Sequence, residues 1–330
     1  MRATSIYTLP LLLGVTFAAY TPGCGPPCQD SRTVEAVQET SVTNLGLHSI
    51  VIVTEQGAGI AVGESGAILV RHENETWTMS QSDAKSTLLA VAARGKDAVV
   101  AVGRHGTIVR SEDLGETWTV IASDITADLE DVIDHPGQPT FIAVGNGIAA
   151  YSDDNGLHWE TANIPNNVGW LRALGELRVS SGSVELLAAG DNGEVLHSKD
   201  QGHLWVRVDV GTAANFSAVG VRRTLLANDA FFVVGALGSA RIMLDEAGQK
   251  WGPHELGLAF DVVDISSDYE WILAANGSFS FDEIEQAAPI GSDGLLEAVS
   301  GTHDEKAWAV GASGMVVRLE VDYVTCPHYP

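Results

Sequence analysis

Short apolar segments alternate with glycine-containing turns along most of the chain. In each copy an apolar segment ends in glycine, two variable residues and a second glycine follow, and another apolar segment begins, as in VGESG at residues 62–66. Short apolar runs bounded by glycine turns are typical of buried strands joined as hairpins. Tight turns of this kind need positive φ angles, which glycine adopts without steric cost. The pattern therefore predicts a succession of antiparallel strand pairs.

The glycine turn occurs seven times, at intervals of about 35–45 residues. Six copies begin at Val62, Val102, Val144, Ala189, Val234 and Val310, and a degenerate copy begins at Ala275. The interval matches one four-stranded blade of a β-propeller. Apolar patches rich in Ala and Val, such as Leu88–Val91, precede the turns, and their small side chains suit strands that converge on a central channel. We predict an all-β fold, a seven-bladed β-propeller of four-stranded antiparallel blades, over residues 43–325.

A second motif follows three of the glycine turns and places Ser, Asp, Gly and Trp in the register S-x-D-x-G-x-x-W. Its copies are Ser111, Asp113, Gly115 and Trp118; Ser152, Asp154, Gly156 and Trp159; and Ser198, Asp200, Gly202 and Trp205. We expect the Asp carboxylate to accept backbone N–H groups of its turn and the Gly to take the left-handed conformation. The Trp is expected to pack in the hydrophobic layer of its own blade. These residues are therefore predicted to be structural.

The second motif resembles the Asp-box, also called the bacterial neuraminidase repeat. Together with the glycine turn it resembles the photosystem II stability/assembly factor family over about residues 43–320. The resemblance implies a seven-bladed propeller outside the cytoplasm or in the thylakoid lumen, with a role in assembling a membrane protein complex. Because the matching residues maintain the repeat, the resemblance bears on the fold more than on the function.

The N-terminus has the features of an export signal over residues 1–23, with Arg2 ahead of the apolar segment Leu9–Ala19. The small residue before Cys24 resembles a bacterial lipoprotein cleavage site, which would make Cys24 a lipidated first residue; ordinary signal cleavage is the alternative. Residues 24–42 are predicted to be an N-terminal linker carrying this candidate anchor, and residues 326–330 a C-terminal tail. The predicted location is the periplasm or outer membrane for a lipoprotein, and otherwise a secreted protein.

The cysteine count is consistent with export. If Cys24 carries lipid, Cys28 and Cys326 remain as a pair, and a disulfide between them would join the two ends of the chain. The alternative is two unpaired cysteines in the terminal segments. The cysteine spacings match no metal-ligand pattern, so we predict no metal site.

Charge limits the partners. The chain has 18 Lys+Arg and 43 Asp+Glu residues, for a formal net charge of −25. Such a charge repels phosphate backbones and anionic membrane surfaces. We therefore predict no nucleic-acid partner, and contact with a membrane only through the lipid anchor.

Catalytic motifs of the HExxH, GxSxG and P-loop types are absent from the sequence. Sialidases also contain Asp-boxes, and they resemble one another in having a triad of arginines. In this chain Arg71, Arg110 and Arg318 recur at the ends of predicted third strands, which indicates a scaffold position. We predict no catalytic residue and no cofactor. The many acidic residues include candidate carboxylate pairs of the kind that cleave glycosides, so a carbohydrate-binding or glycoside hydrolase propeller is the alternative.

The predicted topology locates a candidate site. The turn between the second and third strands of a blade opens on the same face as the connections between blades, so the variable turn residues would surround the channel mouth. The predicted binding residues on this ring are Glu64, Arg104, His105, Asp191, Asn192 and Trp170. Trp170, in the connection to the fourth blade, is either a recognition aromatic or the start of a packed inner strand. We predict a monomeric, non-enzymatic scaffold that binds a protein partner of unknown identity.

Overall fold

The computed structural model describes residues 31–135, 138, 140–178, 183–222, 230–236, 239–244, 250–253, 261–266, 271–275, 279–281, 296–302 and 306–324. The predicted signal peptide, Cys24, Cys28, Cys326 and the C-terminal tail lie outside these residues. Within them, no helix is long and apolar enough to cross a membrane.

The chain folds as a seven-bladed β-propeller, which confirms the predicted fold. The strands up to blade 4 are β1 (Ser31–Gln38), β2 (Leu47–Ile52), β3 (Gly59–Gly63), β4 (Ile68–Arg71), β5 (Trp77–Met79), β6 (Leu88–Arg94), β7 (Ala98–Gly103), β8 (Ile108–Ser111), β9 (Thr119–Val120), β10 (Leu129–His135), β11 (Thr140–Gly145), β12 (Ile148–Ser152), β13 (Glu160–Thr161), β14 (Leu171–Arg178), β15 (Val184–Gly190), β16 (Val195–Ser198) and β17 (Val206–Arg207). The remaining strands are β18 (Phe216–Arg222), β19 (Ala230–Gly235), β20 (Ala240–Met243), β21 (Trp251–Pro253), β22 (Val262–Ile265), β23 (Trp271–Ala274), β24 (Phe279–Phe281), β25 (Leu296–Thr302), β26 (Lys306–Gly311) and β27 (Met315–Val324).

Each blade is an antiparallel sheet whose strands run in chain order from the channel outward. Blade 1 is β2–β5, blade 2 is β6–β9, blade 3 is β10–β13, blade 4 is β14–β17, blade 5 is β18–β21, blade 6 contains β22–β24, and blade 7 is β25–β27 with β1 outermost. Among the described residues six blades have four strands and blade 6 has three.

The N-terminal strand closes the ring. β1 pairs antiparallel with β27 over eight residues, from Ser31 opposite Val324 to Gln38 opposite Val317. Residues 24–42 were predicted to be a linker, and that prediction is wrong for 31–38. The partner strand of β1 lies at the other end of the chain, so no glycine turn follows it. The sequence therefore has no hairpin motif that would predict this strand.

The hydrophobic core consists of seven layers, one between each pair of neighbouring blades. Ile60 of blade 1 shares one layer with Val109 of blade 2. Leu69 of blade 1 shares another with Val310 of blade 7, which completes the ring. Because both faces of a blade are buried, its inner strands are continuous apolar runs, and all six residues of β7 are buried.

The glycine turns confirm the predicted hairpins, but their two glycines serve different purposes. Gly106 has φ 66°, and a Cβ there would lie 1.9 Å from the carbonyl oxygen of Ile125. Gly103 is extended, at φ −175°. Its Cβ would lie 2.1 Å from the carbonyl oxygen of Thr87. The prediction that both glycines supply positive φ is therefore wrong for the first, which is required by the close approach of the inner strand.

The three arginines predicted to share a repeat position do not all share it. Arg110 lies opposite Val100 and Arg318 opposite Trp308, which are equivalent places in their blades. Arg71 lies opposite Gly59, one residue further along its strand. Arg71 therefore has surroundings of its own, at the junction of blades 1 and 7.

Candidate functional site at the channel mouth

The glycine turns lie at the channel end where each blade begins. Glu64 donates its backbone N–H to the carbonyl of Gly46, just before β2, at 2.9 Å. Asp191 donates in the same way to Trp170, just before β14, at 2.9 Å. This arrangement agrees with the topology deduced from the sequence, in which these turns and the connections between blades share one face.

A cavity of about 460 Å³ occupies this end of the channel. Every innermost strand has a β-bulge near its start, where one residue is left without a partner in the pairing. These seven residues, which we call the bulge ring, are His48, Leu89, Glu130, Arg172, Ser217, Val263 and Glu297. All seven line the cavity. The bulges thus turn one side chain of each blade toward the channel.

Arg172 of the bulge ring is held by three neighbours. Its guanidinium donates to Asp191 at 2.9 Å and to Glu130 at 3.4 Å. It also lies over the indole ring of Trp170, 4.5 Å from the ring centroid. On the opposite part of the ring His48 contacts Glu297 through a short hydrogen bond between Nδ1 and a carboxylate oxygen.

Two carboxylates lie next to the bulge ring, deeper in the channel. Asp131 accepts backbone N–H groups from Leu174 of the next blade at 2.7 Å and from Val132 at 2.8 Å. Burial raises the pKa of Asp131 to about 7; the Leu174 hydrogen bond opposes this shift, and the charge of Asp264 adds to it.

Asp264 repeats this arrangement in blade 6. It accepts N–H groups from Val299 and Ile265, each at 2.8 Å. Burial raises the pKa of Asp264 to about 6 against the lowering effect of these two hydrogen bonds. Both residues are half-buried and line the cavity.

Few of the binding residues predicted from the glycine turns line the cavity. Of the six predicted binding residues, Asp191 lines the cavity. Glu64 accepts the N–H of Gly46 at 2.9 Å. Arg104 pairs with Asp128 at 2.9 Å, and the same aspartate accepts the backbone N–H of His105 at 2.7 Å. The side chains of Glu64 and Arg104 therefore stabilise the rim.

The other two predicted residues also lie on the rim. Asn192 donates its backbone N–H to Oδ1 of Asn215 at 2.9 Å. Trp170 is half-buried and supports Arg172, and its indole nitrogen has no hydrogen-bond partner within the described part of the chain. The bulge ring was missed by sequence reasoning. The sequence signal for the bulge ring is the second position of the inner-strand pattern, which varies from blade to blade. In LEDV at 129–132 this position is Glu130, directly after the apolar Leu129.

The Asp-box turns lie on the face opposite the cavity and have the predicted local hydrogen bonds. Gly115, at φ 90°, donates its N–H to the Ser111 hydroxyl at 2.9 Å, and Thr117 donates its N–H to Asp113 at 2.8 Å. Trp118 donates from its indole to the Gly115 carbonyl at 2.8 Å. The equivalent hydroxyl contacts are present at Gly156 and Gly202.

The tryptophans of the Asp-boxes pack in hydrophobic layers of their blades, as predicted, and each layer is the one shared with the preceding blade. Trp118 of blade 2 lies in the layer shared with blade 1, Trp159 in the layer between blades 2 and 3, and Trp205 in the layer between blades 3 and 4. Each Asp-box therefore attaches its blade to the preceding one. These layers are shared between blades because a blade is one sheet thick, and its large side chains can be buried only against a neighbour.

The ionisable residues that line the mouth are mostly acidic. No group of three or more His, Cys, Asp or Glu side chains in the described ranges is arranged to hold a metal ion. The fold and the site define a β-propeller with structural Asp-box turns on one face and an open, predominantly acidic cavity on the other.

The family follows from comparison with known proteins. The family model described as "Photosynthesis system II assembly factor YCF48" matches residues 69–320. The chain therefore belongs to the YCF48 family of photosystem II assembly factors. A search of curated proteins gave no significant match.

Two solved structures show the same fold. "YCF48 bound to D1 peptide" is 16% identical, with a TM-score of 0.67, over 88% of this chain and 97% of that one. "YCF48 from Cyanidioschyzon merolae" is 16% identical, with a TM-score of 0.63, over 86% of this chain and 98% of that one. At this identity the similarity concerns the architecture.

Proposed function

We propose that this protein is a non-enzymatic scaffold that binds a segment of another protein at the channel-mouth face. The observation that carries the proposal is the peptide complex of a family member with the same fold, "YCF48 bound to D1 peptide". The cavity supports it, because propellers bind ligands where variable side chains surround the channel and the blades themselves stay constant. The partner of this chain has its own chemistry, since sequence identity to that relative is 16%.

A cross-linking experiment tests which face is used. A photoactivatable residue replaces Arg104, 46% exposed on the mouth face, or Leu157, equally exposed at 46% on the Asp-box face. After irradiation in the native cell we expect a discrete protein adduct from the Arg104 position and none from Leu157. Equal labelling from both positions, or none from either, would contradict the proposal. Release of sugar from a panel of glycosides by the purified protein would favour the hydrolase alternative.

We further propose that the protein is exported and anchored through Cys24. If such an anchor is present, the position of β1 determines which face of the propeller lies nearer the membrane. β27 starts at the mouth face, and its far end, Val324, pairs with Ser31, so the chain enters β1 from the Asp-box face. An anchor seven residues before Ser31 would therefore leave the cavity facing away from the membrane. We expect Cys24→Ser to move the protein from the membrane fraction to the soluble extracytoplasmic fraction; unchanged membrane association would exclude the anchor.

The disulfide between Cys28 and Cys326 is proposed on similar grounds. Ser31 pairs with Val324, and Cys28 and Cys326 are three and two residues from this pair in the sequence. A peptide map of the unreduced protein should contain the linked pair, and free thiols at both positions would exclude it.

A further inference from the structure

We propose that the cavity at the channel mouth receives a cationic side chain, lysine or arginine, of the bound protein segment. This inference rests on the proposed function and names the chemistry of the partner. It is carried by the cavity, by the bulge ring that faces it, and by two deep carboxylates that have no cationic partner among the described residues.

The basic side chains that line the cavity are already engaged by carboxylates. Arg172 is shared between Asp191 at 2.9 Å and Glu130 at 3.4 Å. His48 contacts Glu297. Asp131 and Asp264 form no ion pair with any lysine, arginine or histidine that the structure describes, and their hydrogen bonds come from backbone N–H groups. The cavity therefore has an unbalanced negative charge at its deep end.

The two deep carboxylates are positioned to accept further hydrogen bonds. Each carboxylate oxygen has two lone pairs, and each of the four oxygens accepts one backbone N–H. One acceptor position per oxygen remains available. Because the backbone bonds hold the carboxylates in place, an entering ammonium or guanidinium group meets acceptors that need no rearrangement.

The raised pKa values of the two deep carboxylates agree with a missing cationic partner. Burial raises the pKa of Asp131 to about 7 and that of Asp264 to about 6, since each must hold charge away from bulk water without a counter-ion. The ionisable groups facing them across the cavity are His48, Glu130, Arg172, Asp191, Asp261 and Glu297. A cation that enters stabilises the ionised carboxylates and lowers both pKa values. Binding should therefore release protons near neutral pH and tighten as the pH rises.

The probe for the test is acetylated tetralysine amide, with tetraglutamine and tetraglutamate peptides as comparators, studied by calorimetry on the purified mature protein. We expect tetralysine alone to bind. The double variant Asp131→Asn/Asp264→Asn should bind it at least about tenfold more weakly. At pH about 6.5, between the two pKa values, titration in two buffers of different ionisation enthalpy should reveal proton release by the wild type and not by the variant.

A matched control distinguishes the effect of the cavity carboxylates from the effect of the overall negative charge of the protein. Glu55→Gln/Glu73→Gln removes the same charge from exposed positions in turns on the opposite face, and it should change the affinity less than about twofold. An equal loss in this control would overturn the proposal. If the Asp131/Asp264 variant fails to fold, Glu130→Gln/Glu297→Gln decides the question, because neither side chain supports a backbone group; unchanged affinity there would also overturn it.

The outcomes distinguish this inference from the proposed function. An adduct at position 104 together with no tetralysine binding would leave the scaffold standing and exclude the cationic ligand. Tetralysine binding that depends on Asp131 and Asp264, with no adduct at the mouth face, would support the cavity as a cation site and exclude the proposed protein partner.

Discussion

Replacing Glu39 with alanine is expected to lower the free energy of unfolding by about 3–5 kcal/mol, because it leaves a buried arginine without its counter-ion. Glu39 follows β1 and accepts two hydrogen bonds from Arg71, at 2.9 and 3.1 Å. It also accepts the indole N–H groups of Trp77 at 2.7 Å and Trp308 at 3.3 Å. The Arg71 side chain is 1% exposed and that of Glu39 10%.

This cluster joins the two ends of the ring. Arg71 and Trp77 belong to blade 1, Trp308 belongs to blade 7, and Glu39 extends the strand that completes blade 7. Arg71 also donates to the carbonyl of Gly57 at 2.8 Å and lies over the Trp308 ring, 4.8 Å from its centroid. Loss of Glu39 should therefore weaken ring closure as well as one ion pair.

The pH dependence provides a second measure of the same cluster. Burial alone would raise the pKa of Glu39, but the hydrogen bonds from Arg71 and the two indoles and the Arg71 charge outweigh it and hold the pKa below 4.5. A carboxyl group with a lowered folded-state pKa stabilises the protein above its unfolded pKa, and this stabilisation disappears as the pH falls through the lower value. Between neutral pH and about pH 3, wild type should lose more stability than Glu39→Gln.

Urea unfolding of wild type, Glu39→Ala and Glu35→Ala measures the effect. Glu35 lies on the same strand with an exposed side chain, so its replacement should change the free energy of unfolding by less than about 0.5 kcal/mol. Equal losses in the two variants would show that the charge of β1, and not the Arg71 cluster, stabilises the closure.

Alanine at Gly106 is expected to cost about 2–5 kcal/mol, the second large effect. The left-handed backbone at φ 66° strains any residue with a Cβ by about 1–2 kcal/mol. In addition the Cβ would lie 1.9 Å from the carbonyl oxygen of Ile125, in the connection to the next blade, so backbone must move. Thermal unfolding followed by circular dichroism would measure the combined cost.

Two further glycines separate the two contributions. Gly95 has φ 51° with no atom within 4 Å of a built Cβ, so Gly95→Ala should show the backbone strain alone, about 1–2 kcal/mol. Gly103 is extended but its Cβ would meet the Thr87 carbonyl at 2.1 Å, so Gly103→Ala should show the steric overlap alone, about 1–3 kcal/mol. If Gly106→Ala were no more destabilising than Gly95→Ala, close packing of the turns against the next blade would play no part in stability.

Residues whose roles depend on near neighbours in the chain were predictable. The Asp-box bonds between Ser111, Asp113 and Gly115 span at most four residues, so the motif alone predicts them. The positive φ of the second glycine, seen in the described turns at Gly66, Gly106, Gly147, Gly193 and Gly314, was predictable for the same reason. The first glycine was assigned the wrong cause, because the carbonyl that crowds Gly103 comes from a residue 16 positions earlier.

The six predicted binding residues lie on the same face as the cavity, but only Asp191 among them lines it. Turn positions such as Arg104 stand out as variable within a repeat, yet their side chains are bound to the rim. Glu130 and Glu297 face the cavity because a bulge leaves them without a strand partner. A bulge is defined by how two strands pair, so the variable second residue of the inner-strand pattern does not by itself show which way its side chain points.

The repeat in the sequence is sufficient to predict the hairpins, the Asp-box turns and the seven-bladed propeller, since the hydrogen bonds and backbone conformations of these turns involve residues close together in the chain. Only the folded ring shows that Ser31–Gln38 closes it, that Glu39 and Arg71 join its ends, and that Asp131 and Asp264 share one channel. These features bring together residues from distant blades. Their energies depend on burial and charge at contacts that exist only once all the blades have assembled around the axis.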